Sequence, residues 1–304
     1  MSTLALKDSF ALPVPPLFSW RDMLSYFFFR LIPGVEVIEG QALRQAVRLP
    51  RSSAMIEVKP VPAKKALGVR VFSAREVERD VIAARLRRQF DLDAPMRKVN
   101  ERLKQHSALG LLVKARPGLR VPGAFDPYLL AMRAILGQQV SVKGATTLTA
   151  RLVERYGERA APPNEDGLWP HTLFPAPERL AGETIEGLGM PGKRAATLAR
   201  LAGFAADGGF SALESDPAPL KTLEALPGIG PWTAHYVGLR ALHLRDAFPS
   251  SDLGLRYAAG DFSGAVPSAK ELEEMSRAWS PYRGHAAIHL WASLHTETQG
   301  AKGG

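Results

Sequence analysis

The sequence predicts an α+β N-terminal domain followed by a mostly α-helical core, and three features carry that expectation. Short runs rich in β-branched residues, each bounded by turn residues, lie between residues 35 and 72. Apolar residues recur with helical periodicity from about residue 128 onward, where strand signals are scarce. Between the two textures stand Pro117, Gly118, Pro122 and Gly123, which punctuate the crossing. The chain accordingly divides into 12–115, an N-terminal domain with linking helices, and 116–304, the helical core.

Taken in order, the proline-rich run Ala11 to Pro16 predicts an arm or an extended lead-in to the first domain. Trp20 to Leu31 reads as a short amphipathic helix stopped by Pro33-Gly34. Strands are expected at Val35 to Glu39, Gln41 to Leu49, Ala54 to Val58 and Leu67 to Phe72, with Glu39-Gly40 suited to a hairpin turn. Val77, Val81, Ile82 and Leu86 mark an apolar stripe on a helix from Glu76 to Phe90. In the second part, helices are expected at Tyr128 to Gln139, Val142 to Tyr156, Gly192 to Ala206, Pro219 to Leu226, Trp232 to Leu244, Lys270 to Trp279 and Tyr282 to Thr296. The proline-rich stretch Ala160 to Pro177 reads as a surface excursion between helices.

Composition narrows the chemistry. The 304 residues contain no cysteine, which excludes disulfides, a thiol nucleophile and cysteine-ligated zinc or iron–sulfur centres. No stretch approaches the roughly 18 consecutive apolar residues of a membrane span, so a soluble, unprocessed intracellular protein is expected. The formal charge is +9 and the isoelectric point near 9.9, which favours a polyanionic partner through phosphate neutralisation. His285 and His289 have a metal-compatible i, i+4 spacing but no glutamate beside the first, and with His235 or His295 they read better as surface or interhelical histidines. Gly187 to Gly192 lacks the glycine spacing and the Lys-Ser or Lys-Thr of a phosphate-binding loop.

The strongest local signal is Leu223-Glu-Ala-Leu-Pro-Gly-Ile-Gly-Pro-Trp-Thr-Ala-His-Tyr236. One helix ends near Leu226, Pro227 to Gly230 forms a tight turn, and Pro231 starts the next helix, where its missing N–H costs little. Such a helix-hairpin-helix at 219–244 can lay backbone around Pro227, Gly228, Ile229, Gly230 and Thr233 against a DNA phosphate. The same string also suits a plain helical turn whose glycines serve backbone freedom alone. Asp252, closing Asp246-Ala-Phe-Pro-Ser-Ser-Asp252, is placed to cap the following helix.

With the hairpin and the aspartate about twenty residues beyond it, the sequence resembles the helix-hairpin-helix DNA glycosylases, and more closely the bacterial 3-methyladenine DNA glycosylase II family. Four further strings carry the resemblance: Arg116-Pro-Gly-Leu-Arg-Val-Pro-Gly123, Arg133-Ala-Ile-Leu-Gly-Gln-Gln-Val-Ser141, Leu188-Gly-Met-Pro-Gly-Lys-Arg194 and Trp279-Ser-Pro-Tyr-Arg-Gly-His-Ala286. It spans about residues 17 to 295 and implies a glycosylase core of two helical subdomains. It further implies a monofunctional hydrolase that removes alkylated bases from double-stranded DNA. Such an enzyme needs no cofactor and no catalytic metal, and it implies neither a membrane nor an obligate protein partner. A cytoplasmic, nucleoid-associated location is expected.

The residue roles follow from the same resemblance. Asp252 becomes the catalytic carboxylate, facing the oxocarbenium character that builds on the sugar. Trp232 stands where bifunctional relatives carry an attacking lysine, and an indole forms no Schiff base. Trp232, Tyr236, Tyr282 and Tyr26 are the candidates for the π-rich wall around a flipped base, although relatives often place tryptophan where Tyr282 stands. Gln138 and Gln139 match the loop that fills the hole left in the duplex, with Gln139 polar where some relatives are apolar. A structural cation at the hairpin carbonyls is also implied. Two alternatives stay open: a noncatalytic helix-hairpin-helix repair protein, and a glycosylase for mispaired, oxidised or deaminated bases.

Overall fold

Period-two alternation along the N-terminal strands builds a sheet with both faces covered. The structure, a computed structural model, describes residues 4–163 and 165–300, without the side chains of residues 108 and 295–300. Strands β1 (Ala5–Pro13), β2 (Glu36–Glu39), β3 (Ala42–Arg48), β4 (Ser53–Val61) and β5 (Ala66–Ser73) form an antiparallel sheet in the order β1-β5-β4-β3-β2. Leu43, Val47, Ile56, Val58, Val69 and Val71 point to one face, under the helices Trp20–Phe28 and Arg79–Gln89. Ala46, Met55 and Phe72 point to the other, where Leu173 and Trp169 meet them.

Two expectations are refined here. The extended lead-in starts inside the sheet: Ala11 to Pro13 end strand β1, which pairs with β5 from Ala5 opposite Ser73 to Pro13 opposite Ala66, and Val14 to Pro16 lie beyond it. Proline is compatible with this because β1 is an edge strand whose outer N–H groups need no ladder partner. The excursion after Tyr156 does not lie among the helices but folds back across the sheet's second face. Arg44 anchors it there: its Nε donates to Glu57 at 2.8 Å, its Nη1 to the Leu168 carbonyl at 2.7 Å, and its guanidinium lies 4.4 Å from the Trp169 ring centre.

The helical residues form two cores. Tyr128, Ile135, Leu152, Leu198, Leu201, Leu223 and Val237 belong to the first. Val99, Leu103, Val113, Phe248, Leu255, Leu272 and Ile288 belong to the second. The linking helices Met96–Leu103 and Ser107–Ala115 therefore bury their apolar faces with the C-terminal helices and not against the sheet. Among the described residues, no helix is long and apolar enough to cross a membrane.

His285 and His289 are buried between helices, and no group of three or more His, Cys, Asp or Glu is placed to hold a metal among the described residues. The His295 side chain lies outside the described residues. His285 Nε2 lies 3.3 Å from the buried carboxylate of Asp91. Burial, with His285 and Arg116 nearby, pushes the His289 imidazole down to about 3. Burial also lowers His235 and His243.

An unfolded histidine takes its proton near pH 6.5, so below that value the unfolded chain holds more protons than the folded one. Stability is complete above about pH 6.5 and falls toward pH 3, with His289 alone contributing a slope of about 1.4 kcal/mol per pH unit. Urea midpoints taken at about pH 7 and pH 5 should therefore drop, and His289→Leu should flatten the dependence by about one proton. An unchanged slope in that variant would refute the assignment.

Candidate active site

Asp252 is the N-cap of the helix Leu253–Ser263, as its residue type and position before an apolar helix require. Three donors hold its carboxylate. Oδ1 accepts from the Leu255 N–H at 2.9 Å and from Trp291 Nε1 at 2.9 Å, while Oδ2 accepts from Trp232 Nε1 at 2.8 Å. Trp232 opens the helix Pro231–Arg240, and Trp291 comes from the last helix, Arg283–Gly300. Trp232 stacks on Tyr236 with ring centres 5.1 Å apart, and Tyr236 meets Trp291 edge-on at 6.1 Å. The four residues line one cleft of 1810 Å³ between the N-terminal domain and the helical core.

The far wall of that cleft is polar. Tyr26, from the helix Trp20–Phe28, lies under two guanidinium groups, Arg30 at 4.0 Å and Arg240 at 4.4 Å from its ring centre. Arg240 Nη1 donates to the phenol oxygens of both Tyr26 and Tyr236, and its Nε donates to the Pro122 carbonyl at 2.7 Å. Burial pushes the Tyr26 phenol up. Burial acts the same way on Tyr236, but Arg240 and Arg30 outweigh it and hold that phenol below its usual range.

Tyr282 does not line the cleft. It packs against the second helical core, edge-on to His285 at 6.2 Å, and the aromatic place it was expected to fill is taken by Trp291. Sequence reasoning missed Trp291 and Arg240.

The loop after the helix Pro127–Leu136 is braced from beneath. Gln138 Nε2 donates to the Gly228 carbonyl at 3.2 Å and to Thr233 Oγ1 at 3.0 Å, and Arg194 donates to the Gln138 carbonyl at 2.6 Å. Gln139 is left exposed at the tip with φ of 57°. The hairpin residues expected to meet DNA divide accordingly. Ile229 and Thr233 have buried side chains, one in the first helical core and one against Gln138, so only their backbone can face a phosphate. Pro227 and Gly230 are at the surface, and Gly228 packs on Thr197.

In the turn itself, the carbonyls of Leu226, Pro227 and Gly228 accept from Ile229 N, Arg200 Nε and Gln138 Nε2, and each keeps a second lone pair.

Comparison with known proteins agrees with this geometry. The AlkA N-terminal domain family matches residues 9–126, and the HhH-GPD superfamily of base excision DNA repair proteins matches residues 132–282. DNA-3-methyladenine glycosylase 2 of Escherichia coli is 34% identical over 281 residues, covering 91% of this chain and 94% of that one. The DNA-3-methyladenine glycosylase of Bacillus subtilis is 26% identical over 302 residues, covering 95% and 98%. In fold, the chain resembles the 3-methyladenine DNA glycosylase from Archaeoglobus fulgidus, with a TM-score of 0.80 at 22% identity, covering 93% of this chain and 97% of that one. The two family matches laid end to end, and a relative aligned over nearly its whole length, establish that this chain belongs to the 3-methyladenine DNA glycosylase II family within the helix-hairpin-helix glycosylase superfamily.

Proposed function

We propose that this protein hydrolyses the N-glycosidic bond of alkylated bases in duplex DNA and leaves an intact abasic site, with Asp252 as its catalytic carboxylate. One observation carries this reading: a carboxylate fixed by three donors at the edge of an aromatic-lined cleft. As the bond to a cationic base lengthens, positive charge moves to the sugar, and a preorganised anion beside it lowers the barrier. A carboxylate offers about four lone-pair sites. Oδ1 uses two and Oδ2 one, so the remaining site on Oδ2 is the one that can orient the attacking water.

The flipped base stacks among Trp232, Tyr236 and Trp291, where a cationic ring gains a cation–π contribution. Gln139, at the tip of the braced loop, enters the space the base vacates, and the hairpin backbone around Gly230 takes a phosphate. Such a protein works on chromosomal DNA, which places it at the nucleoid.

Purified protein should release 3-methyladenine and 7-methylguanine from methylated duplex without added cofactor. Borohydride should trap no protein–DNA adduct during turnover, since Trp232 offers no amine. Failure to release either base would overturn the function, and an adduct mapped to Lys143, the lysine that lines the cleft, would overturn the monofunctional chemistry.

A further inference from the structure

We propose that Phe29, braced by Phe28, is a second wedge on DNA: its ring enters the duplex beside the extruded nucleotide and stacks on a flanking base. The inference rests on the reading of this chain as a base-extruding repair enzyme. It gives the N-terminal domain a DNA contact of its own, apart from the residues that do the chemistry.

Phe28 is the last residue of the helix Trp20–Phe28 and Phe29 is its C-cap. The two side chains are 59% and 62% exposed. Apolar side chains scattered singly over a surface need no explanation, but these rings meet edge-on at 5.5 Å and form one patch. The helix holds to the sheet through Trp20, Met23 and Phe27, so its two outer rings are spare for another surface.

The patch stands at the rim of the catalytic cleft. Phe29 lines that cleft together with Tyr26 and Arg30, and so do Gly137, Val140 and Ser141 from the loop that carries Gln139. The two parts of the rim are tied to each other. Arg133, in the last turn of the helix leading into the Gln139 loop, donates from Nη1 to the carbonyl of Arg30, the residue after Phe29. Arg30 in turn lies 4.0 Å from the Tyr26 ring centre and donates from Nη1 to the Tyr26 carbonyl at 3.3 Å. The place of Phe29 relative to the loop is thus set before DNA arrives, and a duplex that admits Gln139 meets Phe29 on the same rim.

The chemistry of the patch selects a base as its occupant. An exposed ring next to a guanidinium, on a chain of formal charge +9, is the combination that binds nucleic acid by stacking and charge together. Phenylalanine is also among the apolar side chains that part base steps and kink a duplex. Gln139 brings an amide that can meet polar base edges but offers no ring to stack on them. Extrusion has already unstacked the neighbours of the lost base, so the step beside it is where a ring enters at least cost.

The test pairs protein variants with altered DNA. The probes are a duplex carrying one uncleavable abasic analogue and two further duplexes in which the base on one or the other flank is removed as well. Wild type should bind one of the flank-deleted duplexes about tenfold more weakly than the parent. Phe29→Ala should already be about tenfold weaker on the parent and indifferent to that deletion, the coupling expected of a direct contact. Its salt dependence and urea midpoint should match wild type, because no phosphate contact and no buried side chain is lost. Phe29→Tyr, which keeps the ring, should restore the affinity, and Phe28→Ala should lose less than Phe29→Ala. Parent-duplex affinity unchanged in Phe29→Ala overturns the proposal, as does a loss of equal size on all three duplexes. Unchanged affinity together with loss of a self-associated form in ultracentrifugation would make the patch a protein contact and overturn it too. These readouts are of binding alone, so failure of the wedge is distinct from failure to release an alkylated base.

Discussion

Asp252→Asn should leave a folded, DNA-binding protein whose single-turnover excision falls about a hundredfold to a thousandfold, or about 3 to 4 kcal/mol at the transition state. The direction follows from the three donors around the carboxylate. An asparagine amide has one acceptor oxygen, and placing it at Oδ1 keeps the Leu255 cap and the Trp291 bond. Its NH2 then faces the Trp232 N–H, so one bond is lost along with the charge, at a cost of about 1 to 2 kcal/mol in stability. Trp291→Phe is the companion test. It keeps an aromatic ring in the cleft but frees one side of Asp252, and should cost about tenfold in rate. Because Trp291 acts on the chemistry through Asp252, the double variant should be no slower than Asp252→Asn alone, a non-additivity that a merely structural tryptophan would not produce. Excision with saturating enzyme, beside direct binding to an uncleavable abasic analogue, separates rate from affinity. Near-normal excision by Asp252→Asn would remove this residue from the mechanism.

The elements legible in the sequence are those whose signals are local. Strands β2 to β5 announce themselves by alternation between turns, and the hairpin by Pro227-Gly-Ile-Gly-Pro231. Asp252 is legible as a cap because capping needs only residue type and position. Trp291 is not legible in this way, since it meets Asp252 only after the last helix packs, and its surroundings read as an ordinary apolar helix face. Tyr282 precedes the first residue of the last helix, where it meets His285 edge-on, and Trp291 reaches the cleft from inside that helix, so a motif position read along the chain does not tell the two aromatic residues apart. Arg240 carries no local signal, because the groups it bonds come from the crossing segment at Pro122 and the helix bearing Tyr26, more than a hundred residues earlier. The excursion over the sheet was hidden because its hold depends on Arg44, more than a hundred residues earlier.

Gly228→Ala and Gly230→Ala should separate folding from DNA binding within one turn. Gly228 has φ of 96°, and a Cβ there would stand 2.0 Å from Thr197 Oγ1 and 2.8 Å from its Cγ2. Thr197 cannot retreat, because it is buried on the helix Gly192–Ala206 and its Oγ1 donates to the Lys193 carbonyl at 3.0 Å. Left-handed strain and overpacking together should cost about 2 to 4 kcal/mol, visible as a lower urea midpoint before any DNA is added. Gly230 has φ of −92°, which any residue adopts, and no atom lies within 4 Å of where its Cβ would stand. Alanine there should melt like wild type. Gly230 is nevertheless the N-cap of the helix Pro231–Arg240, whose first-turn N–H groups are the proposed phosphate site, and a methyl group added beside them should hold a phosphate off. Affinity for the abasic analogue should drop about tenfold and the salt dependence should weaken by about one phosphate contact. If Gly230→Ala binds as tightly as wild type, the phosphate does not sit on this turn. If Gly228→Ala unfolds at the wild-type midpoint, the contact with Thr197 does not restrain it.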